Sequence, residues 1–236
     1  MIKLINNEFV KIKKTKIFII YFMFIIVLLI LKKYSNKNIL ELSYNLIQFI
    51  GVCCSILFSG CICGEIENGN MRYYLTKPYN RKKIYVSKLL SIIIYIFLNI
   101  LIIIFTTLLI NKSIDFEYIE KYFINCIPIF FVGSFTLFLS TKYKNSVLVA
   151  SISIITLSFS LILSQLLFGF DFKIIEYTIL PYLDFTIFNN DEILLGLNND
   201  FGISLNINRA VIINILSTFL VFIIGLIKFN KKDIKS

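Results

Sequence analysis

Histidine is absent from the 236 residues, which excludes every His-ligated metal site and every His-based catalytic triad. Charge is scarce: Asp, Glu, Lys and Arg make up 16% of the chain, where a soluble domain carries about a quarter. No acid falls clearly inside an apolar run, Glu65 standing at a boundary. The buried carboxylate that ion-coupled carriers use to hold a proton or sodium ion is therefore not expected. Arginine is confined to Arg72, Arg81 and Arg209, and proline to Pro78, Pro128 and Pro181. Cys53, Cys54, Cys61, Cys63 and Cys126 all lie in apolar runs, where a thiol behaves as a small hydrophobe rather than a ligand. Metal and aspartyl chemistry thus have no residues to use, and a serine–lysine dyad has no lysine away from a membrane edge. The chain reads as a non-enzyme.

What remains is apolar. Hydrophobic residues make up 58% of the chain and the mean hydropathy is +0.83. They fall in long uncharged blocks separated by charged joints, the pattern of a multi-span helical membrane protein. The expectation is one all-α integral membrane domain over 1–236 with six transmembrane helices, near 17–31, 42–63, 89–110, 123–141, 146–168 and 210–227. Pro128 stands at the start of the fourth, where a missing N–H does least harm. In the arm 1–16, Ile2, Ile5, Phe9 and Ile12 recur at three- and four-residue intervals. That spacing predicts an amphipathic interfacial helix whose lysines reach the headgroups of membrane lipids. No small-residue cleavage site follows Leu31, so the arm is read as retained rather than as a signal peptide.

Six spans put both termini on one side. That side gathers 17 of the 24 Lys and Arg residues and the other side 7, which places both termini in the cytoplasm of a cell membrane. The formal charge of +10 then reflects positive-inside sorting, and no nucleic-acid partner is expected. Lysine in place of arginine, with abundant Ile and Asn, points to an AT-rich bacterial source.

One stretch interrupts the pattern. Residues 64–88 run through the acids Glu65 and Glu67, a break at Gly69, and an apolar and aromatic patch at Met71, Tyr73, Tyr74 and Leu75. Pro78 and a basic cluster at Arg81, Lys82, Lys83 and Lys88 follow. A short helix is expected over 70–76, with Met71, Tyr74 and Leu75 on one face and the acids favouring its N-terminal end. Gly64 and Gly69 imitate the start of a phosphate-binding loop, but Asn70 and Met71 stand where that loop needs Lys and Ser or Thr. The residues alone leave a docking element and an ordinary polar loop both open.

The order Glu65, Glu67, Gly69, Leu75, Pro78, Arg81, Lys88, set between spans two and three, resembles the permease subunits of type-2 ABC exporters. The arm, the six spans and the long last outside loop extend that resemblance over the whole chain. Asn70 and Asn80 replace the usual Thr and Ser, each keeping a hydrogen-bonding side chain. Length, lysine richness and a small ectodomain are similar to the subgroup exporting bacitracin-like or lantibiotic peptides, where antibiotic resistance and immunity are the associated roles. The resemblance implies a cytoplasmic coupling helix docked on a separate ABC ATPase, which would hold ATP and Mg, with no cofactor on this chain. Glu65, Glu67, Gly69, Met71, Arg72, Tyr74, Leu75, Pro78, Arg81 and Lys88 would carry that coupling. It also implies a second permease chain, identical or related, and export of an amphipathic peptide, drug or lipid-like molecule. The alternative is a self-sufficient secondary carrier or channel for a small hydrophobic solute.

Gln48, Asn99, Asn125, Gln165 and Asn214 lie within spans, as pathway lining or as glue between helices. Ser146, Ser153 and Ser160 recur every seven residues with Ala150 near the same face, a close-packing stripe and a candidate dimer seam. The loop 169–208 is acidic yet apolar, and cannot stand bare in water. Short re-entrant helices broken at Pro181 are expected there, with Phe172, Pro181, Tyr182 and Phe185 as an outer gate.

Overall fold

Small and hydroxyl-bearing residues decide which helix sits in the middle. Gly133, Ser134, Thr136, Ser140 and Thr141 are all buried in helix α6 (Ile127–Lys142). Their hydroxyls are satisfied within the helix: Ser134 donates to the Phe131 carbonyl at 2.9 Å and Thr136 to that of Val132 at 2.8 Å. With no polar group left over, backbones can approach closely. At Gly133 a Cβ would collide with Ile92 of the neighbouring helix.

The computed structural model describes residues 2–14, 39–71, 80–111, 116–189 and 191–232. Around α6 pack α2 (Ile39–Ser59), α4 (Arg81–Asn111), α7 (Ser146–Ser158) and α10 (Ile207–Lys231). Burial covers 67% of the apolar window around α6 but 17% of that in α10, so α10 is peripheral and α6 axial. The remaining helices are α1 (Ile2–Lys14), α3 (Cys63–Glu67), α5 (Phe116–Asn125), α8 (Ser160–Gly169) and α9 (Asp191–Phe201). No strand occurs among the described residues. Asparagine starts three of the long elements: Asn80, Asn145 and Asn206 each accept a backbone N–H from the first turn of α4, α7 and α10, as N-caps do.

Among the described residues, four helices are long and apolar enough to cross a membrane, or five if one bent pair counts as a single span. The chain is thus an all-α membrane protein in architecture. The span expected over 17–31 lies outside the described residues. The fifth is not the continuous helix expected over 146–168: α7 and α8 meet at Phe159 with a 55° bend. There the Ser160 hydroxyl donates to the Leu157 carbonyl at 3.1 Å. The joint expected over 111–122 also differs, because α5 carries helix through Phe116–Asn125 and buries Tyr122.

One end of the bundle, here the basic end, gathers α1, α3, the α6–α7 turn and the last residues of α10. Arg81 donates to the carbonyls of Asn230 and Lys232 at 3.1 and 2.7 Å, and Lys232 donates to the carbonyl of Thr141 at 2.7 Å. Cations thus cap the C-terminal ends of α10 and α6. The opposite end is covered by three 3-10 turns, Lys173–Tyr177, Leu180–Tyr182 and Phe185–Asn189, followed by α9. Tyr182, Phe185 and Ile187 bury themselves there against Ile203, Leu205 and Ala210. Part of the apolar loop is thereby buried, in short 3-10 turns packed on the span ends, while Phe172, Ile174 and Tyr177 stay exposed.

Candidate functional site

Four charged side chains from three elements meet at the basic end. Glu8 and Lys11 lie one turn apart on α1, Glu65 sits in α3, and Lys88 lies two turns into α4. Lys88 Nζ stands 3.1 Å from Glu8 Oε1 and 2.8 Å from Glu65 Oε2. The latter is an ion pair whose angle falls short of a hydrogen bond. Lys11 Nζ is 2.9 Å from Glu8 Oε1 and also pairs with Glu65. Lys88 is only 2% exposed and Glu65 6%. Two carboxylates and two ammoniums alternate, so no charge is buried without an opposite neighbour, the condition under which buried ions are tolerated.

The electrostatics follow from that alternation. Burial works against the charged form of Glu8, but the Lys88 and Lys11 ammoniums outweigh it and hold the carboxyl below its ordinary value. Lys11 is moved the other way. Burial and the nearby Lys88 charge lower it, while Glu65 and Glu8 raise it further and leave it above the ordinary lysine value. Glu8 and Lys11 are therefore charged across the neutral range, and the quartet ties α1, α3 and α4 together at the point where residues 64–88 leave and rejoin the bundle.

Of the residues expected to carry coupling, Glu65 and Lys88 are turned inward and paired with each other. Met71 is fully buried in the main core. Arg81 caps α10. Glu67 and Gly69 are exposed, and Gly69 has a φ of 71°, the left-handed conformation that favours glycine. Arg72, Tyr74, Leu75 and Pro78, with most of the helix expected over 70–76, lie outside the described residues. Glu8 was not singled out by sequence, and Lys11 was assigned to lipid headgroups. The available signal was Glu8 itself, the one acid in a basic arm.

The in-span amides divide. Gln48 donates to Asp184 at 2.5 Å and Asn214 to the Tyr182 carbonyl at 2.7 Å, both joining a long helix to the cap at the opposite end. Asn99 and Asn125 donate to carbonyls of their own helices, those of Tyr95 and Lys121. Gln165 is half-buried in α8. The serine stripe is divided between buried and half-buried positions. Ser153 and Ser160 are buried by their own chain, Ala150 is half-buried, and Ser146 lines a cavity at the basic end. Of the expected gate, Pro181, Tyr182 and Phe185 are packed within the cap, while Phe172 is exposed. The cap is latched to α10 by Glu176, which accepts from Ser204 Oγ at 2.7 Å and from Arg209, the latter lying over the Tyr177 ring. Among the described residues, no group of three or more His, Cys, Asp or Glu is placed to hold a metal ion.

One family model matches the chain over residues 9–235, that of a protein of unknown function, DUF2705. No curated protein matches it.

Proposed function

We propose that the chain, which belongs to the DUF2705 family, is the membrane-spanning subunit of an ATP-driven exporter of the type-2 ABC kind that its sequence resembles. In this reading the basic end faces the cytoplasm, the segment 64–88 docks on a separate ATPase that binds ATP and Mg, and two permease chains enclose the path. The substrate is amphipathic: a peptide antibiotic, a drug or a lipid-like molecule.

The observation that carries the reading is the buried quartet at the roots of that segment. A passive polar loop needs no buried ions to hold it. A segment that must transmit force does, because displacement at its tip reaches the bundle only if its roots are fixed to more than one helix. Here Glu65 anchors one root and Lys88 the other, and both are fixed to α1 through Glu8 and Lys11. Glu67 and Gly69, next to the anchored Glu65, remain exposed for a partner. The quartet also bears on the carrier alternative: its two carboxylates are occupied by lysines rather than poised to take up an ion.

The test separates docking from folding by using the exposed acid. Glu67→Lys leaves the quartet intact. It is expected to insert normally, to lose co-purification with a co-expressed ABC ATPase subunit, and to lose ATP-dependent export from inverted vesicles. Normal co-purification and export by this variant, or export by the purified chain driven by an ion gradient without ATP, would overturn the proposal.

A further inference from the structure

We propose that the cavity beside the quartet binds a headgroup carrying a primary ammonium and a phosphodiester, supplied by a membrane lipid of the phosphatidylethanolamine type. The cavity measures about 360 Å³ and lies between α1, the corner joining α2 to α3, and the start of α7. Glu8, Lys11, Glu65, Asn68 and Ser146 are among the residues that line it. Gly60 also lines the cavity, and a Cβ there would stand 3.8 Å from Ser146 Cβ, in ordinary van der Waals contact.

The chemistry of the ligand follows from the charges. The quartet is neutral as a whole, and three of its members are buried. Lys11 is the exception, with 45% of its side chain exposed. An incoming ammonium can take the place of Lys11 beside Glu8 and Glu65 without leaving either carboxylate unpaired. The displaced Lys11 then faces the phosphate. A primary ammonium brings three N–H donors to the carboxylates. A quaternary one brings none and is held by aromatic cages, and Phe58 is the one aromatic side chain in the lining. A purely anionic headgroup offers nothing to Glu8 and Glu65. Leu57 and Phe58 supply the large apolar side chains of the lining. This inference concerns the chain alone and does not depend on transport.

The test uses the purified full chain in nanodiscs of phosphatidylcholine containing phosphatidylethanolamine or phosphatidylglycerol, with retained lipid counted by native mass spectrometry and thermal unfolding followed in parallel. The ethanolamine lipid is expected to be retained about tenfold more tightly than the choline lipid, the worth of one charge-assisted hydrogen bond, and to raise the unfolding temperature. Gly60→Leu and Ser146→Leu each put a bulky side chain into the lining, and each is expected to abolish the preference. Equal retention of choline and ethanolamine lipids, a glycerol lipid that matches the ethanolamine one, or a preference unchanged in a folded plugged variant overturns the proposal. Free phosphoethanolamine added to phosphatidylcholine discs tells the sources apart. No effect supports the lipid, whereas a full effect supports the same headgroup chemistry and overturns the lipid as its source.

Discussion

The Tyr85 hydroxyl lies against the backbone of Gly225, well inside the space that a side chain at that glycine would need. Tyr85 is fully buried at the basic end of α4, between the rings of Phe222 and Phe229 on α10, and its oxygen has no hydrogen-bond partner among the described residues. The contact therefore fixes how closely α10 approaches α4 through shape alone. Gly225→Ala is expected to destabilise the protein by about 1–3 kcal/mol, as overpacking does. Tyr85→Phe removes the clashing oxygen, is expected to be near neutral alone because it deletes an unpaired polar atom, and should recover part of the loss in the double variant. A cycle of thermal unfolding in detergent measures the coupling, and additive effects would show that the two residues do not meet.

The quartet makes a graded prediction. Lys88→Met leaves two buried carboxylates sharing the single Lys11 charge, and is expected to cost about 3–5 kcal/mol, as removal of one partner of a buried pair does. Lys11→Met removes a half-exposed partner and is expected to cost clearly less. The order of unfolding temperatures, wild type above Lys11→Met above Lys88→Met, checks this. The reverse order would place the main contact at Lys11.

How much of this was legible in the sequence depends on the distance over which each feature is determined. The spans could be read because hydropathy is local: α4, α6 and α10 lie where their uncharged runs lie. The bend at Phe159 could not, since Ser158, Phe159 and Ser160 fit a membrane helix by composition, and serines making the same bond as Ser160 sit within the unbroken α6. Glu65 and Lys88 stood out as charges at membrane edges. Their inward direction did not, because it is set by Glu8, a residue 80 positions from Lys88 that no periodicity connects to it. The serine stripe was recognised as a packing face, but one-dimensional spacing cannot say whether the neighbour is the same chain or another. Burial of Ser153 and Ser160 answers that for those two positions.

Stability should respond to pH at both extremes, and with opposite signs. The Glu8 carboxyl is held below 4.5 in the folded state. Its contribution is present above that ordinary value and is lost as pH falls through the lower folded-state value. Lys11 is held above 10.5, so its contribution is present below that value and is lost as pH rises through the higher one. Unfolding temperature in detergent should therefore show a plateau between the two limits. Glu8→Gln is expected to lower the plateau and flatten the acid limb, leaving the contribution of Glu176, which is likewise depressed: burial opposes its charge, but bonds from Ser204 and Arg209 outweigh it. An acid limb unchanged in Glu8→Gln would remove Glu8 from the linkage.

Asn99 and Asn214 offer a direct comparison of two buried amides in two spans. Each leaves its side-chain oxygen without a hydrogen-bond partner among the described residues, and each donates to the carbonyl four residues earlier, Tyr95 for Asn99 and Ala210 for Asn214. Only Asn214 also donates outside its helix, to the Tyr182 carbonyl at 2.7 Å. That carbonyl belongs to a turn of the cap. Asn99→Leu removes a polar group whose one recorded partner is already bonded within the helix, so it is expected to be close to neutral. Asn214→Leu leaves the Tyr182 carbonyl short of a donor and is expected to cost about 1–3 kcal/mol, with faster hydrogen exchange over 180–189, where the cap loses its tie to α10. Unfolding temperature gives the first readout and exchange mass spectrometry the second. Equal effects of the two substitutions would mean that Asn214 does not join the cap to the membrane helix.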